Sequence, residues 1–246
     1  MLDSVLDNTD VLITDYYVNS VSKEWSESFF ILDNYDFNKE EHIELIKNCF
    51  LKTSFSNYHA ITMVGVPWAK MFRTDVIKEN SIIYDKSLRK MQDALFCSEV
   101  FENCNNLIYR NFPTYHYRQN SNSVAHKGNK NYLNVAESIL KALDKFIIKY
   151  NYVEELRSIY YARKFIFACE AVKFIYILDD TGMSFFEKRF RIKKLMSNLE
   201  LDKHENEMLP YIRKHIIAFI LHKMHLYGLM YLSMKLYYSC KMRRIT

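Results

Sequence analysis

The sequence predicts an α/β region followed by an α-helical region, helix-rich overall, and three observations carry that reading. Asp10 to Val18 is an apolar run with β-branched residues at its centre and an aromatic pair near its end, the pattern of a strand. Beyond Tyr132, apolar residues recur at three- and four-residue steps almost to the end, which is helical spacing. Between the two, residues 119–131 are polar and contain Gly128, so a loop is expected there. The expected regions are 1–125 and 126–246.

Within the first region, Ser26 to Leu32 reads as a second strand beyond a polar turn. Asn38 can cap a helix from about Lys39 to Leu51, whose Ile43, Ile46 and Phe50 share a face. Pro67 opens a short helix through Phe72, because proline in a first turn costs no hydrogen bond. Residues 92–103 form a helix with Leu95, Phe96, Val100 and Phe101 as its apolar stripe. Asn106 to Arg110 and Pro113 to Arg118 read as two short strands. In the second region, breaks near Asn151, at Asp179-Asp-Thr-Gly182 and near Pro210 leave three or four helices. The glycine makes Asp179 and Asp180 a helix stop rather than a metal motif.

Composition excludes several classes. Hydrophobic residues make up 49% and charged residues 26%, so the 246-residue chain can build a core. Only four glycines occur, and neither G-x-G-x-x-G nor a Walker A loop can be written with them. Five cysteines without a C-x-x-C read as reduced thiols, and the acidic first ten residues do not form a secretory signal. A cytoplasmic protein is expected, and no membrane-spanning run is present. Net charge is +5, but residues 211–246 hold seven Lys and Arg and no acidic residue. Their apolar residues fall at helical steps, so the tail is expected to be a basic amphipathic helix. It either lies on the anionic inner face of the cytoplasmic membrane or packs on its own domain. Nucleic acid is not an expected partner, because the basic residues form no groove-sized motif. His222 and His225 share a helical face but lack a third ligand.

The informative stretch runs from Gly65 to Ser123. It contains Gly65-Val-Pro-Trp-Ala-Lys-Met-Phe72, then Met91-Gln-Asp-Ala-Leu-Phe96, then Tyr115-His-Tyr-Arg118, then Asn120-Ser-Asn-Ser123. In order and spacing this resembles the second half of bacterial family 2 glycosyltransferases, which build capsules, O-antigens and other surface polysaccharides. Asp10 to Tyr17 also resembles that family's strand ending in Asp-Tyr-Tyr, which follows its nucleotide-binding half. The resemblance covers roughly residues 5–125 and implies a partial GT-A mixed sheet. It implies a nucleotide-sugar donor and a polysaccharide or lipid-linked acceptor. It also implies a divalent metal, Mg²⁺ or Mn²⁺, held by an Asp-x-Asp in a nucleotide-binding half. This chain has no Asp-x-Asp, and too few residues precede Asp10 to hold that half. The expectation is therefore a fragment completed by a separate nucleotide-binding polypeptide, or a non-catalytic remnant that binds a partner or a membrane.

By the resemblance, Asp93 is the general base that takes a proton from the attacking hydroxyl, and Gln92 stands where the family has Glu. Read from the residues alone, Asp93 equally suits a helix cap worth about 1 kcal/mol. Trp68 offers a face for a sugar ring or anchors a short helix, and Lys70 meets a phosphate or hydroxyl or is simply solvated. Arg118, at the end of a Tyr-x-Tyr-Arg strand, closes over the donor diphosphate in the resembling family, or is structural. His116 alternates with Tyr115 and Tyr117 and faces either the core or the site. Ser121 and Ser123 are candidate loop donors.

Overall fold

The structure is a computed structural model describing residues 8–20, 23–51, 62–119, 128–179, 182–201 and 204–242. It is mixed α/β and helix-rich. The chain divides into two compact units, Met1–Asn120 and Ser121–Thr246.

The first unit is built on β1 (Val11–Asn19), whose Val11, Leu12 and Ile13 are almost fully buried. A strand covered on both faces reads as a continuous apolar run rather than an alternation. On one edge β1 pairs in parallel with β5 (Leu107–Arg118), and β5 pairs antiparallel with β3 (Asn34–Phe37). The other edge is shared. β4 (Lys70–Phe72) takes its first half and β2 (Glu24–Glu27) its second, both antiparallel. Helices α1 (His42–Phe50) and α3 (Gln92–Asn103) pack on one another, and α2 (Thr74–Glu79) follows β4.

Three local expectations are corrected. The run 26–32 is not one strand: β2 stops at Glu27 because the Asp15 carboxylate captures the chain, accepting from Ser28 Oγ at 2.8 Å and Phe29 N–H at 3.2 Å. Phe29 and Phe30 then enter the core outside regular structure. The Pro67–Phe72 helix is absent. Ala69 takes a left-handed conformation (φ 54°), and its carbonyl accepts from Thr14 N–H at 2.9 Å, so Lys70–Phe72 joins the open edge of β1. The two strands expected over 106–118 are one, β5, with register shifts opposite Thr14, Asp15 and Tyr16. Pro113, which has no N–H to donate, sits at that irregularity, where a sheet tolerates it.

The Asn38 cap forms as a full capping box: Asn38 Oδ1 accepts from Glu41 N–H, and Glu41 Oε2 accepts from Asn38 N–H. A 3₁₀ turn, Lys39–Glu41, leads from it into α1.

The second unit contains α4 (Tyr132–Lys149), α5 (Val153–Ala171), α6 (Phe185–Ser197), α7 (Glu205–Met208), α8 (Ile216–Lys223) and α9 (Tyr227–Met242). The last turns of α5 continue as a π-helix, Val172–Ile177, in which Leu178 N–H donates to Lys173 O at 2.9 Å. Among the described residues, six helices stand where three or four were expected, and the tail holds two helices rather than one. His225 (φ 57°) ends α8, with its N–H on His222 O and the Leu226 N–H on Leu221 O. That is a Schellman motif with histidine at the position glycine usually fills. His222 and His225 therefore do not share a helix; the Tyr227 hydroxyl lies 3.5 Å and 3.2 Å from their Nδ1 atoms. Among the described residues, no helix is long and apolar enough to cross a membrane.

Candidate functional site

Three segments distant in sequence converge in the first unit: the end of α1, the stretch from Val64 to Phe72, and the start of α3. Gly65 makes the convergence possible. A Cβ there would meet Cys49 O at 2.6 Å, Cys49 Cα at 2.9 Å and Ala94 Cα at 3.1 Å, all backbone atoms that cannot yield. The Asn48 side chain fixes the approach by accepting from Val64 N–H at 2.8 Å. The two candidate-bearing stretches also carry left-handed, non-glycine residues: Ala69 between Trp68 and Lys70, and Met91 immediately before Gln92. Such backbone costs about 1–2 kcal/mol per residue and persists only where surrounding contacts enforce it.

Lys70 is turned inward. Part of the residue meets solvent, yet Nζ is buried and makes no hydrogen bond to a described residue. It lies 4.1 Å from the Phe29 ring centroid, near the thiols of Cys49 and Cys97. Burial pulls its pKa down from 10.5 to about 8, against a small opposing pull from the two sulfurs. Phe72, on the same face of β4, packs edge-on to Phe96 of α3. The same face of the strand thus carries Lys70 toward the helix layer.

Asp93 is in the first turn of α3, half-buried, and burial pushes its carboxyl above the usual aspartate range. The residue one turn later is Cys97, so Asp93 and the thiol beside Lys70 share a helix face. The Tyr84 ring stacks on Phe96 at 4.4 Å; burial first, then Cys97 and Asp93, push its hydroxyl up to about 12. The Gln92 side-chain oxygen is buried and accepts no hydrogen bond from a described residue.

Trp68 is the hub of an aromatic cluster. Tyr115 and Tyr117 stack on the indole at 5.1 and 5.3 Å, Tyr16 meets it edge-on at 4.8 Å, and Phe29 lies 5.5 Å away. Phe29 therefore touches both the indole and the Lys70 ammonium. His116 is not core-facing: it is exposed on the face of β5 opposite Tyr115 and Tyr117. There it stacks on Tyr17 at 4.7 Å, with Nδ1 3.0 Å from Asn19 Oδ1 and 3.2 Å from Glu24 Oε2. Arg118 ends β5, exposed, and by strand alternation shares the face of His116. The sequence-derived set thus splits into Gln92 and Asp93 at the start of α3 with Lys70 beside Cys97 of that helix, Trp68 in the aromatic cluster that Phe29 joins to Lys70, and His116 with Arg118 on the opposite face of β5. Ser121 and Ser123 lie outside the described residues.

Residues the sequence reading did not single out include Cys49, Cys97 and Tyr84, which surround Lys70 and Asp93. The four-residue step from Asp93 to Cys97 was the available signal. Asp15 was noticed only as part of a motif. It is a buried carboxylate fully occupied by Ser28, Phe29 N–H and the Tyr109 hydroxyl at 2.7 Å, a structural hub of the strand layer.

The divalent metal implied by the resemblance finds no donor set among the described residues, where no three His, Cys, Asp or Glu side chains are placed to hold an ion. Comparison with known proteins leaves the reading to the geometry: no family model matches this sequence, and no curated protein matches it.

Proposed function

We propose that this chain is the acceptor-side part of a family 2-like glycosyltransferase, with Asp93 as its general base. An acceptor hydroxyl attacks the anomeric carbon of a nucleotide sugar. The new C–O bond forms as the bond to the diphosphate breaks, and the diphosphate leaves with the electron pair. The hydroxyl proton passes to the Asp93 carboxylate. The observation that carries this reading is a carboxyl at the opening turn of α3 whose proton affinity is raised by burial. A base with a pKa nearer the working pH accepts a proton more readily in the transition state. Trp68 with its two stacked tyrosines provides an apolar wall of the kind sugars rest on. Lys70 supplies a neutral or charged donor close by. In this reading the nucleotide-binding part, with its Mg²⁺ or Mn²⁺, comes from a separate polypeptide, and the acceptor is a bacterial surface glycan or its lipid-linked precursor.

The test is transfer of radiolabelled sugar in membranes expressing the chain. Asp93→Asn is expected to lower the rate at least about 100-fold, the usual worth of a positioned base. The wild-type rate should fall on the acid side at a pH above the ordinary aspartate range, since the base must be ionised to act. An unchanged rate in the variant removes Asp93 as base. One observation favours a second reading, a non-catalytic binding module. Both the indole of Trp68 and the Lys70 ammonium are engaged by the chain's own aromatic rings. The transfer assay separates the two: sugar transfer that depends on Asp93 is incompatible with a non-catalytic module, whereas no transfer by the chain together with the nucleotide-binding polypeptide favours it.

A further inference from the structure

The two C-terminal helices carry apolar residues on the wrong side as well as the right one. Helix α9 buries Tyr227, Met230, Tyr231 and Met234, a stripe at three- and four-residue steps facing its own unit. On the opposite side, Leu229, Leu232 and Leu236 form a second stripe and are 53%, 47% and 67% exposed. Helix α8 does the same: Ala218 and Phe219 are buried, while Ile216, Ile217 and Ile220 face solvent. No acidic residue occurs after Glu207, and Lys214, Lys223 and Lys235 lie on these two helices or at their start.

A cavity of about 290 Å³ opens on this surface. Its wall includes Glu170, Lys173, Lys214, His215, Ile217 and Tyr237. Ile217 and Tyr237 are more than half exposed, so the mouth is continuous with the exposed apolar face. Lys173 reaches the cavity from the π-helix, a geometry rare in proteins and frequent at functional sites. Glu170, the acidic group in the wall, accepts from the Tyr132 hydroxyl. Burial holds His215 below its usual pKa, so it is a neutral imidazole at neutral pH. Lys173, whose ammonium also lies over the Phe174 and Tyr238 rings, and Lys214 outnumber the Glu170 carboxylate and leave the cavity wall with one positive charge in excess. Its volume is just below the ~300–1,000 Å³ typical of small-molecule sites and is ample for a phosphate head.

We propose that α8 and α9 dock on an anionic phospholipid surface, with one lipid headgroup phosphate held in this cavity between Lys173 and Lys214. Charge complementarity selects this occupant. A second copy would set two predominantly basic surfaces against each other, even with Glu170 in the cavity wall and Glu205 paired to Lys223, whereas an anionic leaflet attracts them and accepts the leucine and isoleucine side chains at its acyl boundary. The inference does not rest on sugar transfer, and Asp93→Asn should leave vesicle binding unchanged.

Flotation of the full chain with liposomes tests it. The chain should partition onto vesicles of equimolar phosphatidylcholine and phosphatidylglycerol, detach as salt rises, and stay free of pure phosphatidylcholine vesicles. Lys173→Gln with Lys214→Gln should weaken binding by about 30-fold, at the roughly fivefold that each basic residue contributes near an anionic leaflet. Leu232→Ser with Leu236→Ser, at exposed positions that leave the fold intact by circular dichroism, should lower it at least about tenfold. Equal partition onto both vesicle types, wild-type affinity in the lysine pair, calorimetric binding of glycerol 1-phosphate without vesicle binding, or a leucine-dependent dimer in place of vesicle binding would each overturn the proposal.

Discussion

Lys70 places an amine where charge is expensive. Its pKa is depressed from 10.5 to about 8, so the unfolded chain holds the proton more tightly than the folded one. Stability attached to this group is therefore present above about pH 10.5 and lost as pH falls through about 8. Lys70→Met should stabilise the protein on the order of 3 kcal/mol below pH 8, and the gain should shrink to nothing by about pH 10.5. Urea melts of both proteins across that range measure the difference directly; a gain that is flat with pH would mean that folding does not depress the pKa of the amine. Asp93 carries the opposite sign. Its raised pKa contributes stability that is present below about 3.8 and lost as pH rises, so Asp93→Asn should raise the melting temperature at pH 7 and not at pH 3. A variant that gains stability while losing transfer would mark the carboxylate as a group kept for chemistry at the expense of the fold.

Elements end where the backbone, not the periodicity, decides. Helix α4 stops at Asn151, whose left-handed backbone (φ 57°) sends its N–H to Ile148 O and the next N–H to Ile147 O. Asparagine is a recognised residue for that position, and the break was legible. The same motif at the end of α8 uses His225, which carries no such signal, so the tail reads as one helix when it is two. His225→Gly should relieve the left-handed strain and raise the melting temperature by about 2–4 °C, followed by differential scanning calorimetry. The capping box at Asn38 and the start of α3 at Gln92 were legible for the converse reason, since each is set by residues within four positions of itself. The Lys70–Phe72 strand was not, because its cause is the open edge of β1, about sixty residues away. The candidate site divides in the same way. Each of Trp68, Lys70, Gln92 and Asp93 was visible as a motif residue. The inward turn of Lys70 was hidden because its surroundings come from Phe29, α1 and α3. Gly65 joins these elements, and Gly65→Ala should cost about 1–3 kcal/mol in a urea melt by pushing α1 and α3 apart.

Across the whole chain the thiols report on the fold. Cys49, Cys97, Cys104 and Cys169 are buried, and burial raises every one of their pKa values, to about 12 for Cys97 and Cys104. Groups with raised folded pKa values favour the folded state below their unfolded pKa of 9.0 and cease to do so as pH climbs toward 12. Stability should therefore decline steadily above about pH 9. A thiol-specific chromophore should find one fast cysteine in the native protein, Cys240, and the remaining four only in denaturant. Rapid labelling of more than one would mean that a core thiol is accessible. The parallel partnership at the centre of the sheet has a further consequence. The Asp10 carboxylate accepts from Asn106 N–H, 96 residues further along, and β1 gains its long neighbour only with β5. During synthesis β1 can take β2 and then β4 on one edge, but its other edge stays open until the ribosome has released residues beyond 118. Newborn chains of this protein should therefore depend on holding factors at the tunnel exit more than an order of elements built from neighbours would.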